Sequence, residues 1–175
     1  GTVLEEHVLD ANRNNYLAAL AQDRDILGVA LLDLSTGEFW VEESPDPDAL
    51  RDVLIRLAPS ECILSETLAE NPQMLANFDR GGDMVFSPQE DWIFHRDVAV
   101  DHLTRHFDVA SLDGFGCDGC SAGIDAAGGI LHYVGESLRR HIGHVRTLRV
   151  RQPSGYLLLD ETTVANLDLV PPVQS

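Results

Sequence analysis

The chain contains no lysine. All 12 of its basic residues are arginine, they stand against 29 acidic residues, and the formal charge is −17. A phosphate-gripping loop of the GxxxxGK[ST] type needs a lysine to reach the phosphates, so none is encoded here. A field of this sign repels polyanions, and the chain by itself is expected to bind DNA poorly. Dense surface carboxylates stay hydrated at high ionic strength, where screening removes most of their self-repulsion. Adaptation to salt is therefore the simplest reading of the acidity.

Cysteine is scarce as well. Three residues, Cys62, Cys117 and Cys120, do not make a disulfide framework. Cys117 and Cys120 form a lone CxxC with no second pair, and His102 or His106 would have to complete a zinc site. No thioredoxin-like context surrounds the pair, so a turn is the expected role. No apolar run approaches the length that spans a bilayer. Gly1 to Asp10 is acidic and lacks the basic start and apolar stretch of a secretion signal. The expectation is a soluble, cytoplasmic protein with no membrane contact.

What is present suits a medium domain with an appendage: 175 residues, 44% of them apolar. Asn14 to Ala21 and Ile26 to Leu34 are apolar strand candidates, the second nearly continuous and so buried. Ser35-Thr36-Gly37 is a tight-turn signal, and Glu38 to Glu43 alternates polar with apolar, so the pair reads as a hairpin. Asp46 to Ala58 switches to helical spacing, with Leu50, Val53, Leu54 and Leu57 on one face and Asp46 or Asp48 as cap. Ser60 to Ser65 is a strand expected to return parallel to the sheet. A short helix over Leu68 to Asn77 is interrupted by Pro72, and Met84 to Phe86 is a further strand.

The spacing then predicts a helix from about Asp91 to His106, with Val98, Leu103 and Phe107 among its buried side chains. Ser111 to Cys120 is a loop in which Gly114 and Gly116 flank Phe115. Ser121 to Ile142 reads as the longest helix. Its Ala- and Gly-rich first half admits a close neighbour, and Leu131, Val134 and Leu138 form its apolar stripe. Thr147 to Val150 and Tyr156 to Leu159 are extended, Asp160 caps a last helix to about Leu167, and Val170 to Ser175 is an unstructured end. The fold class is α/β: a mixed sheet of about five strands with flanking helices, plus a C-terminal strand–helix extension. Three antiparallel strands followed by alternating helices and strands is the order of ribonuclease H-like folds.

Several stretches resemble bacterial MutS mismatch repair proteins, in the same order. They are Asn14-Asn15-Tyr16-Leu17-Ala18-Ala19, Gly28 to Phe39 (Gly-Val-Ala-Leu-Leu-Asp-Leu-Ser-Thr-Gly-Glu-Phe), Leu112 to Gly116 (Leu-Asp-Gly-Phe-Gly), and Tyr156 to Leu167. The resemblance implies a linker from the mismatch-binding domain over residues 1–12, a connector domain over 13–152, and the start of the core or lever domain over 153–175. It implies a connector that relays conformational change and contributes to recruiting MutL, inside a homodimeric parent that acts on mismatched DNA. Neither the Phe-x-Glu mismatch reader nor the phosphate loop is present. The resemblance therefore implies no enzyme activity and no cofactor in this stretch, with ATP and Mg bound in the parent's absent ATPase domain.

Candidate sites follow. Asp33, on the first long strand, is where a ribonuclease H-like nuclease would bind metal. It would need Glu66 and Asp97 or Asp101 converging within about 4 Å of shared ions. The alternative is that Asp33 serves the turn after it. His102 and His106 are spaced i, i+4, but no HExxH surrounds them, and solvated helix histidines are expected. By position, the resemblance makes Asp101 and His102 a MutL-contact surface. Arg139, Arg140, Arg146, Arg149 and Arg151 form the one basic cluster, suited to an acidic neighbouring domain or to DNA phosphates.

Overall fold

A computed structural model describes residues 15–79, 84–117 and 119–151. The linker and the C-terminal extension expected from the sequence, over 1–12 and 153–175, lie outside the described residues.

The sheet has six strands in the order β5-β4-β1-β2-β3-β6. β1 (Tyr16–Asp23), β2 (Ile26–Asp33) and β3 (Phe39–Ser44) form an antiparallel meander. Helix α1 (Pro47–Leu57) then carries the chain to β4 (Glu61–Ser65), which pairs parallel to β1. Asp46 caps α1 by accepting the Asp48 amide at 3.0 Å, and Pro47 opens its first turn. Two short helices, α2 (Glu66–Ala69) and α3 (Pro72–Phe78), lead to β5 (Val85–Gln89), parallel to β4. A 3-10 turn over Asp91–Phe94, α4 (Arg96–Phe107) and α5 (Ala122–His132) precede β6 (Arg149–Arg151), which pairs parallel to β3.

Both faces of the sheet are covered. On one, Leu20, Val29, Leu31 and Trp40 pack against Leu50, Val53 and Leu54 of α1. On the other, Ala19, Ala30, Leu32 and Val41 meet Leu103 of α4 and Ile124, Ala127 and Ile130 of α5. Burying both faces is what lets the central strands be almost wholly apolar.

The sheet of about five strands has six, with β6 beside β3 at one edge. Other details differ from the expectations. Despite its polar–apolar alternation β3 is buried on both faces: even Glu42 is only 2% exposed, and burial raises its carboxyl above the ordinary range. The helix predicted from about Asp91 opens as a 3-10 turn over Asp91–Phe94 and becomes α-helix only at Arg96. Pro88 belongs to β5, an edge strand, where its missing amide costs no ladder bond. The helix predicted from Ser121 to Ile142 ends as α-helix at His132 and widens into a π turn over Tyr133–Ser137. Arg139 then turns left-handed with φ at 53°, and Leu138 is exposed rather than part of the stripe.

Candidate partner-binding surface

Small residues on α5 decide where α4 lies. A Cβ on Gly128 would sit 2.3 Å from the Ala99 Cα, and one on Gly129 would meet the Phe94 ring at 2.4 Å. The close approach read from the Ala- and Gly-rich stretch is therefore real, and α4 with Phe94 fills it. Glu43 of β3 fixes the start of α5, its Oε2 accepting the amides of Ser121 at 2.7 Å and Gly123 at 2.6 Å. A carboxylate at a helix N-terminus meets both the orphan amides and the dipole. Ser121 makes no side-chain cap.

A second junction ties α4 to the sheet. Arg96 donates from Nε to Asp125 Oδ1 at 2.5 Å and from Nη2 to Asp23 Oδ2 at 3.0 Å. The Arg96 hydrogen bond holds the Asp23 carboxyl below its usual range, while burial pushes that of Asp125 up. These contacts join residues 73 and 29 positions apart, and spacing alone offered no signal for them.

The outer surface of α4 carries the residues singled out by resemblance. Asp101 is exposed and pairs with Arg105 at 2.9 Å. His102 is half-buried, its ring edge-on to that of His132 with centroids 5.1 Å apart. His132 in turn meets Trp92 edge-on, also at 5.1 Å. Burial, then the neighbouring His102, holds the His132 imidazole below its ordinary range. The expectation of solvated helix histidines is corrected for His102 and for His106, whose Nε2 contacts the Val145 carbonyl oxygen at 2.7 Å. The two do not meet as a ligand pair. Their actual partners lie on the segment from 132 to 145, which the helical spacing of α4 could not foretell.

Asp33 is fully buried and tends the turn. Its Oδ1 accepts the amides of Ser35 at 2.8 Å and of Thr36 and Asn15 at 3.3 Å. Register separates it from Glu66, and Asp97 and Asp101 are exposed on α4 whereas Asp33 is fully buried. Tyr16 pairs with Asp33 at one end of β1, whereas Ala19 pairs with Ile63, so Ser65 and Glu66 lie toward the opposite end. Five strand residues span about 16 Å, and two-metal chemistry has no room for that. Among the described residues no group of three His, Cys, Asp or Glu side chains is gathered to hold a metal. The nuclease alternative is unsupported.

Arg139, Arg140 and Arg146 are exposed on the connection after α5. Arg149 and Arg151 share one face of β6, with the Arg151 guanidinium 4.0 Å over the Trp40 ring. Cys117 and Cys120 stand at a turn that the Cys120 amide closes on the Cys117 carbonyl at 2.9 Å. Phe115 packs on Phe107 with centroids 4.9 Å apart, and Gly116, but not Gly114, takes a positive φ. Among the described residues no helix is long and apolar enough to cross a membrane.

A six-stranded mixed sheet with helices on both faces, with Asp33 bonded into the turn after β2, defines a ribonuclease H-like domain. The family model for MutS domain II matches residues 15–146, and the chain belongs to that family. It is 38% identical over 175 residues to the DNA mismatch repair protein MutS of Protochlamydia amoebophila, covering 99% of this chain. It is 40% identical over 172 residues to that of Symbiobacterium thermophilum and 35% over 178 residues to that of Salinibacter ruber, covering 97% and 99% of this chain. The chain spans only about a fifth of each relative's length, 20%, 20% and 19%.

Proposed function

We propose that this domain is the connector of a longer mismatch repair protein, relaying movement between an ATPase core and a mismatch-binding domain. The observation that carries the reading is the domain II match over 15–146 in a chain one fifth the length of its relatives. A body with a packed core on both faces of one sheet moves as a unit, and coupling of this kind needs a stiff element between two sites. The boundaries proposed for it are 13–152, with a linker before and the core domain after. The parent would be a cytoplasmic homodimer that binds mismatched DNA and uses ATP with Mg in its own ATPase domain.

The α4 surface at Asp101 and His102 is the proposed MutL contact. Arg139, Arg140, Arg146, Arg149 and Arg151 would meet an acidic face of a neighbouring domain, with DNA phosphates as the other anionic partner. The test uses the full-length protein with its cognate MutL and ATP. Asp101→Arg reverses the charge at an exposed position and breaks only the pair with Arg105, so folding is retained. Loss of ATP-dependent crosslinking to MutL is the expected outcome. Crosslinking at the level of the unaltered protein would remove this face from the proposal.

A further inference from the structure

Among the described residues the large apolar side chains left exposed are Ile55, Val85, Val109, Leu138 and Trp92, and Trp92 is the aromatic one. It is 44% exposed on the 3-10 turn between β5 and α4. Its Nε1 donates to Glu90 at 3.0 Å, which fixes the indole and leaves ring surface to solvent. Behind it stand His132 and then His102, each centroid 5.1 Å from the next, with planes at 74° and 62°. The row thus crosses from the turn over the end of α5 to α4, and ends beside Asp101.

Carboxylates frame this row. Glu90 and Glu136 both lie within electrostatic reach of His132. The neighbouring cation on α4, Arg105, is already engaged by Asp101. Burial and His102 both disfavour charge on His132. The row therefore offers an aromatic face in a negative frame. An indole face attracts a guanidinium or ammonium group, and tryptophan and arginine dominate the energetics of protein interfaces. A nucleic acid backbone would meet the carboxylates with like charge.

We propose that Trp92, backed by His132 and His102, is the anchor of the docking face, and that it takes an arginine or lysine side chain of the partner protein between Glu90 and Glu136. This rests on the reading that the α4 surface docks MutL, and it adds the anchor residue and the charge of what it receives.

The experiment measures affinity of the full-length protein for cognate MutL with ATP present. Trp92→Ala is expected to weaken binding at least about tenfold, the loss typical of an interface anchor. Glu90→Gln with Glu136→Gln is expected to weaken it several-fold and flatten its salt dependence. Unchanged binding in Trp92→Ala, alongside loss in Asp101→Arg, would overturn the anchor and keep the docking face. No loss in either would overturn both. Tighter binding in the double glutamine variant would overturn the cationic partner. Both glutamates are exposed, so that variant decides the matter if Trp92→Ala melts early.

Discussion

Replacing Asp33 by alanine would leave the amides of Asn15, Ser35 and Thr36 without their acceptor at a buried turn. A loss of about 2–3 kcal/mol in urea denaturation is expected, and Asp33→Asn, which keeps one acceptor oxygen, should cost about 1 kcal/mol. His132 belongs to the same scale. Its folded form resists protonation, whereas the unfolded chain takes up the proton near 6.5. Unfolding therefore binds a proton in the window just below pH 6.5, and stability falls as pH falls through it. His132→Gln should remove that part of the slope in melting temperatures recorded between pH 7 and pH 5. The turn role of Asp33 was legible, because aspartate before Ser-Thr-Gly bonds nearby amides. The pairing of His132 with Trp92 was not, since the two residues share no period or motif.

At the scale of elements, the packing of α4 on α5 turns on backbone approach. Gly128→Ala drives a methyl group onto the Ala99 Cα, and neither backbone can yield cheaply. A cost of about 2 kcal/mol is expected. Gly114→Ala, which meets nothing within 4 Å, is the control and should be neutral or stabilising in the same denaturation series. Element positions were largely readable, because apolar period and turn residues act locally. α1 begins at the predicted cap, β2 and β4 fall within the predicted runs, and β1 runs two residues past the predicted end at Ala21. The misses sit where distant parts intervene. β3 is covered by α1 and α5 on its faces and by β6 along its edge, and Glu42 goes under with it. α5 stops early because the chain must turn back to reach β6, through a π turn and a left-handed Arg139 that no propensity announces.

For the whole molecule the governing quantity is charge. With −17 on 175 residues, compaction works against self-repulsion that salt screens. The melting temperature should therefore rise as KCl is taken from the millimolar to the molar range, and a fall would refute the salt-adapted reading. Composition, period and turn chemistry determined the α/β class, the meander and the parallel return to the sheet, and ordered stretches of sequence carried the family resemblance, because these depend on residues close in the chain or on motifs in order. Which helix covers which face, which carboxylates stay apart and which rings line up were decided only in three dimensions. Register and close packing bring together side chains that are dozens of positions apart, and a linear pattern holds no record of those distances.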